Sequence, residues 1–329
     1  MKAKALIIFG ALLFSSFVQG AQAQTVALRY GQIPSTIRTV SALQFYIAQR
    51  KGFFIREGID FQMIPIEGGT DKMITALDRG AVDIARTATP YLIQAALKGS
   101  DTVAIAGETA NPIYSLMVKP EIKTFADLKG RLLGLSLPID TISISTRKLL
   151  TLHGLKESDF RVKELVGTPA RFECLKKGDC DGVPLGQPDD FVALKLGYRR
   201  LGVSTDAVAN FQFTVSAVRR PWAAANKDVV VGYIRALASA YPYMRDPSNR
   251  DEVARVVVET TGSSDDIARQ TLGLYFEPER GVFPKQGELD LKGLGKVIEF
   301  MGEARELKAP LPPPECFVDL QYLGMAGIQ

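Results

Sequence analysis

The order of apolar segments constrains this chain most. From Val26 onward, short β-branched runs alternate with longer stretches whose apolar positions recur at helical spacing. Strands are predicted at Val26 to Tyr30, Ile59 to Ile66, Val82 to Arg86 and Thr102 to Ala106. Between them, helices are predicted from Ala42 to Glu57, from Gly68-Gly69-Thr70 to Arg79, and from Thr89-Pro90 to Gly99. Gly58, Gly80 and Gly99 sit where helices must stop. Thr89 is the expected N-cap, with Pro90 at the first helical position. Alternation of this kind predicts a parallel sheet covered by helices.

The pattern then repeats with a detour. Tyr114 to Val118 leads out of the first unit into a second one, with strands at Leu132 to Leu137, Val162 to Leu165 and Gly182 to Leu185. Its helices are predicted near Phe125 to Leu128, then over Thr141 to His153, Pro169 to Lys177 and Asp189 to Leu196. Phe213 to Val218 returns to the first unit. From Trp222 the chain is largely helical, with segments at Val229 to Arg245, Asp251 to Thr260 and Ser264 to Phe276. The expected fold class is therefore α/β with two lobes: residues 24–112 plus 215–329 form lobe 1, and residues 113–214 form an inserted lobe 2. Chain crossings at Asn111 to Tyr114 and Gln212 to Val215 would serve as a hinge beside an interlobe cleft.

Residues 1–23 read as a signal peptide. Lys2 and Lys4 precede an uncharged apolar run from Ala5 to Val18, and Ala21-Gln22-Ala23 supplies small residues for cleavage near Ala23. That run is shorter than the roughly 20 residues that span a bilayer, so a periplasmic product is expected. A formal net charge of +4 with scattered basic residues gives no nucleic-acid footprint. The single histidine, His153, argues against zinc chemistry and histidine-based triads, so no metal or cofactor is expected. Gly134-Leu135-Ser136-Leu137-Pro138 lacks the last glycine of a hydrolase elbow. Cys174 and Cys180 enclose a helix end and a glycine stop. In an oxidising compartment they read as a local disulfide, two buried free thiols being the alternative. Cys316 is left over and is expected to be buried.

Several stretches together resemble a known family. They are Phe45-Tyr46-Ile47-Ala48-Gln49-Arg50-Lys51-Gly52-Phe53-Phe54-Ile55-Arg56-Glu57-Gly58-Ile59, Gly80 to Ala85, Tyr114 to Pro120, Phe125 to Arg131, and Arg220-Pro221-Trp222-Ala223-Ala224. In this order they resemble the nitrate/sulfonate/taurine and thiamine-precursor (NMT1/THI5-like) solute-binding proteins of ABC transporters. The resemblance implies a type II periplasmic-binding fold. It also implies a small-molecule ligand (a carboxylate, a sulfonate or an N-heterocycle), an ABC permease as partner, and a monomer that performs no catalysis. Two alternatives stand beside it: a sensor that reports to a partner protein, and a relative of the pyrimidine-precursor synthases, which share the fold.

Ligands of open α/β sheets sit beyond the carboxyl ends of the strands, where helix N-termini offer unpaired N–H groups. That rule selects Gly69 and Thr70, then Thr87 and Thr89, then Asp140 and Thr141, with Gln187 in the loop that follows the last strand of lobe 2. Helix capping is the alternative role for any one of them. Gln44 is a further candidate on the first helix. Arg86, at a strand exit, would pair with a carboxylate or sulfonate, or else with Asp83 or Glu67. Asp140 and Asp189 would oppose an anion, which keeps a nitrogen-bearing ligand in view. Phe45, Tyr46 and Tyr91 occupy positions where rings could line the cleft, core packing being the alternative.

Overall fold

A computed structural model describes residues 25–278 and 281–328; the expected signal peptide lies outside them. Ten strands run in chain order as β1 (Val26–Gln32), β2 (Ile59–Pro65), β3 (Ile84–Ala88), β4 (Thr102–Thr109), β5 (Ser115–Val118), β6 (Leu132–Leu135), β7 (Arg161–Glu164), β8 (Gly182–Leu185), β9 (Arg199–Val203) and β10 (Thr214–Arg219). They form two five-stranded sheets, ordered β2-β1-β3-β10-β4 and β7-β6-β8-β5-β9. The chain leaves the first sheet after β4 and returns to it as β10.

Neither sheet is purely parallel, which corrects the expectation from alternation. β1 runs parallel to β2 and β3, but β10 is antiparallel to both β3 and β4. In the second sheet β6 is parallel to β7 and β8, while β5 is antiparallel to β8 and β9. The reversed strands are the two that arrive by a crossing between sheets. A crossing delivers the chain from outside the βαβ winding, so the usual right-handed parallel connection does not set its direction.

Helices cover both faces of each sheet, because successive side chains on a strand point to opposite sides. Ile84, Val103, Ile105 and Val218 pack one way, against the helices Leu43–Arg50 and Lys227–Arg245. Ala85, Ala104, Val215 and Ala217 face the other way, against Asp71–Asp78, Thr89–Leu97 and Leu291–Glu303. Leu116 and Val118 likewise meet the helix Thr141–Leu152, whereas Met117 faces the disulfide side. The edge strand β4 is closed off, as an exposed edge must be. Gly107 donates its N–H to the Gly287 carbonyl at 2.9 Å, and Asp319 donates to the Ala104 carbonyl at 2.9 Å.

Other local expectations change. The first long helix is two, Leu43–Arg50 and Phe53–Arg56, broken at Gly52 in the left-handed region (φ 66°). β9 and the helix Leu291–Glu303 were not anticipated. Cys174 and Cys180 are joined, with Cα atoms 5.3 Å apart, and tie the helix Thr168–Lys176 to the start of β8. Cys316 is exposed, not buried. It sits in the surface turn Pro314–Phe317, where Phe317 takes the inward position.

Candidate functional site

Between the sheets lies a cavity of about 370 Å³, within the range of small-molecule sites. Helices from both lobes begin at its wall. Asp71–Asp78 and Thr89–Leu97 start beside the lining residues Thr70 and Ala88, and Thr141–Leu152 and Thr168–Lys176 start beside Asp140 and Gly167. Their free N–H groups place partial positive charge around the cavity. The lobes approach closely at its rim. A Cβ on Gly69 would stand 3.0 Å from Leu137 Cδ1, and one on Gly167 would stand 2.7 Å from Ser35 Oγ.

Of the residues expected from sequence, Gly69, Thr70, Arg86, Asp140 and Gln187 line the cavity; Gln44, Thr87, Thr89 and Thr141 do not. Thr87 Oγ1 donates to the Thr70 carbonyl at 3.3 Å, and Thr141 Oγ1 to Asp140 Oδ1 at 3.4 Å. Thr89 is not the N-cap of its helix; Ala88 is, and Thr89 Oγ1 donates to the Gln212 carbonyl at 2.8 Å. Gln44 is fully buried on the helix Leu43–Arg50, away from the lining. Asp140 caps the helix Thr141–Leu152 by accepting from Ile142 N at 3.0 Å, and it also accepts from Ser136 Oγ at 3.0 Å. Burial pushes its carboxyl above the ordinary range.

The rings at the site are not the expected ones. Phe45 stacks into the lobe 1 core against Tyr30 and Phe61, Tyr46 donates its hydroxyl to the Ile37 carbonyl, and Tyr91 is half-buried and lines a different pocket beside Asp71 and Gln94. Tyr114, Phe213 and Tyr275 line the cavity instead. Tyr114 and Phe213 come from the two crossings and meet edge to face, with centroids 5.9 Å apart at 88°.

Two arginines reach the cavity from opposite lobes. Arg86 lies on β3, and its partner is neither Asp83, which binds Arg29 at 2.6 Å, nor Glu67. Arg86 Nε sits 3.4 Å from Glu108 Oε2, Nη1 donates to the Ser41 carbonyl at 2.8 Å, and Nη2 donates to Thr214 Oγ1 at 3.1 Å. Glu108 is fully buried and accepts from the Tyr30 and Ser216 hydroxyls at 2.6 and 2.7 Å. Burial raises its carboxyl, with Arg86 and these hydrogen bonds opposing the shift.

Arg171 is the residue that sequence reasoning missed. It stands in the first turn of the helix Thr168–Lys176 and is fully buried. Nε donates to the Pro184 carbonyl at 2.8 Å, Nη1 to the Leu165 carbonyl at 3.1 Å and Nη2 to Thr168 Oγ1 at 3.1 Å. Every one of these acceptors is neutral, and no carboxylate among the described residues lies within ion-pair distance. Burial pulls its pKa down, with Tyr114, Asp140 and Asp189 opposing the shift from a distance. One signal was present: a cation in a first helical turn opposes the helix dipole, and such a position asks for another reason. In the same lobe, Asp189 lines the cavity and its carboxyl is pushed up to about 6, first by burial and then by neighbouring Asp190.

Comparison with known proteins agrees with this architecture. Residues 40–249, well over half the chain, match the family described as NMT1/THI5 like. A protein of Escherichia coli (strain K12) named for aliphatic sulfonate binding is 26% identical over 261 residues, 78% of each chain. The periplasmic aliphatic sulphonate binding protein SsuA of Escherichia coli superposes with a TM-score of 0.65 at 22% identity, covering 89% of this chain and 92% of that one. The periplasmic nitrate-binding protein NrtA of Synechocystis PCC 6803 superposes with a TM-score of 0.73 at 14% identity, covering 92% and 89%. The chain belongs to the NMT1/THI5-like family, with its two-lobed α/β fold.

Proposed function

We infer that this protein captures a small organic anion between its lobes and delivers it to an ABC importer, working in the periplasm after removal of residues 1–23. The observation that carries this reading is Arg171, a fully buried cation at the cavity whose hydrogen-bond partners are all neutral and which has no carboxylate in contact with it among the described residues. Buried charges are retained where something pairs with them, and a bound acid group supplies the missing partner. Three of the five guanidinium N–H groups are occupied, so N–H groups remain for that acid. Gln187, Thr70 and Arg86 supply the remaining polar contacts. Arg38, exposed at the mouth, adds positive potential on the way in.

The walls favour an organic body over an inorganic ion. Ile33, Ala88, Ile113, Ile142, Val166 and Val282 join the three rings in the lining, and a bare inorganic anion would leave that apolar surface unmatched. The test is native mass spectrometry of the purified mature protein, followed by thermal melting with benzoate, propanesulfonate and nitrate. An organic acid should co-purify or raise the melting temperature and be returned chemically unchanged. Stabilisation by nitrate alone, or turnover of the bound molecule, defeats the reading.

A further inference from the structure

We propose that Asp189 is a specificity-determining residue, and that the captured solute is an aromatic acid that also carries an N–H donor. This rests on the reading of Arg171 as the acid's partner and extends it to the rest of the ligand. Asp189 and Asp190 are adjacent carboxylates with opposite fates. Asp190 is fully buried and saturated: its Oδ2 accepts from Ser115 Oγ at 2.7 Å, Gln187 Nε2 at 3.0 Å and Arg200 Nη2 at 2.9 Å, and its Oδ1 accepts from Phe191 N at 2.7 Å. Asp189 lines the cavity and makes no side-chain hydrogen bond or ion pair among the described residues.

A second polar group waits in the same space. Thr70, which is 9% exposed, lines the cavity, and its Oγ1 is buried with no partner. Leaving a half-buried carboxylate and a buried hydroxyl unpaired is costly, so the occupant is one that pairs with them. A plain acid would bring a second negative charge toward Asp189 and leave it unsatisfied. An N–H donor on the same solute removes that penalty, so Asp189 selects by repelling the wrong ligand as much as by holding the right one. The aromatic body follows from the rings of the lining, Tyr114 and Phe213 packed edge to face with Tyr275 beside the same cavity, a setting that favours a further ring.

The experiment is calorimetry on the mature protein with benzoate and 3-aminobenzoate, which differ by one amino group, and with 3-aminopropanesulfonate as a non-aromatic donor-bearing acid. 3-Aminobenzoate should bind at least about tenfold tighter than either, since a site built to hydrogen-bond a group rejects analogues without it. In Asp189→Ala the ratio of 3-aminobenzoate to benzoate affinity should fall to near one. Circular dichroism should show that variant folded, because the side chain it loses makes no internal bond. Equal affinity for the two benzoates, or a ratio unchanged in Asp189→Ala, overturns the role of Asp189 while leaving the solute-binding reading intact. Tighter binding of 3-aminopropanesulfonate overturns the aromatic body. Failure of all three acids, with no organic acid co-purifying, overturns this proposal and the reading beneath it together.

Discussion

Both lobes bury an arginine against the same cavity, and they hold it in opposite ways. Lobe 1 surrounds Arg86 with a counter-charge, Glu108, itself fixed by Tyr30 and Ser216. Lobe 2 surrounds Arg171 with two carbonyls and a hydroxyl and places no carboxylate in contact with it, Asp140 and Asp189 acting only from a distance. A buried pair is neutral and serves to organise its surroundings, whereas a buried lone cation attracts. The difference assigns the two lobes different work. Lobe 1 supplies a preorganised wall, and lobe 2 supplies the electrostatic pull.

The largest expected effect separates those roles. Arg86→Met strands Glu108 in the lobe 1 core and should cost roughly 3–5 kcal/mol of stability in urea unfolding. Arg171→Met breaks no contact ion pair, although Asp140 and Asp189 lose a favourable neighbour, and should cost only about 1–3 kcal/mol for its unpaired acceptors. Its affinity for an acid ligand should nevertheless fall by at least about thirtyfold, because truncating one side of a buried charged contact costs on the order of 2 kcal/mol or more. If both variants lose stability and affinity in the same proportion, the contrast between the lobes is wrong.

The sequence made one of these arginines visible and hid the other, for a physical reason. Arg86 ends a buried strand, where strand alternation and the rule for open sheets direct attention to it. Arg171 follows Thr168-Pro169-Ala170 on a short helix, and a helical arginine ordinarily faces water. Only tertiary packing turns it inward beneath Pro184 and Leu165. The rings failed similarly. Phe45 sits at a sequence position where a ring could line the cleft, yet its helix packs on the face of the sheet toward Lys227–Arg245. Tyr114 and Phe213 lie on the crossings, which carry no periodicity. The order of strands and helices was legible because alternation persists over long spans. The reversed strands β5 and β10 were not, since alternation is silent about direction.

A smaller effect sharpens the contrast within lobe 2. The Asp189 carboxyl sits at about 6 in the folded protein against an ordinary 3.8. Its folded value is raised, so its contribution to stability is fully present below 3.8 and is lost as pH rises through about 6. Burial is the main cause, Asp190 adds to it, and Lys176 and Arg171 oppose it. Asp189→Asn cannot ionise. It should match the parent protein at the acid end and exceed its stability above about pH 6 by on the order of 2–3 kcal/mol, from the linkage of a two-unit shift. Thermal melts of the ligand-free proteins across this range check the sign. A variant less stable than the parent at neutral pH would mean that Asp189 has a favourable internal partner.

The smallest effect concerns what joins the lobes. Lys148 on the helix Thr141–Leu152 pairs with Glu303 on Leu291–Glu303, and its ammonium lies 4.3 Å from the centre of the Phe300 ring. Lys195 on the helix Asp189–Lys195 pairs with Asp266 on Asp265–Tyr275 at 3.1 Å. Each pair bridges a lobe 2 helix to a lobe 1 helix, so each exists only while the lobes are together. Closure therefore gains these contacts and opening loses them, which couples them to ligand affinity. Both pairs are exposed, and exposed pairs are weak and screened by salt. Replacing both Lys148 and Lys195 by alanine should weaken binding by less than about threefold at low salt. The salt dependence separates this effect from attraction between the ligand and Arg171. Raising salt from about 0.05 to about 0.5 M should weaken binding to the parent protein more than to the double variant, because only the parent has bridges left to screen. Identical salt slopes would show that the bridges form equally in the open state, and that closure is driven by the ligand alone.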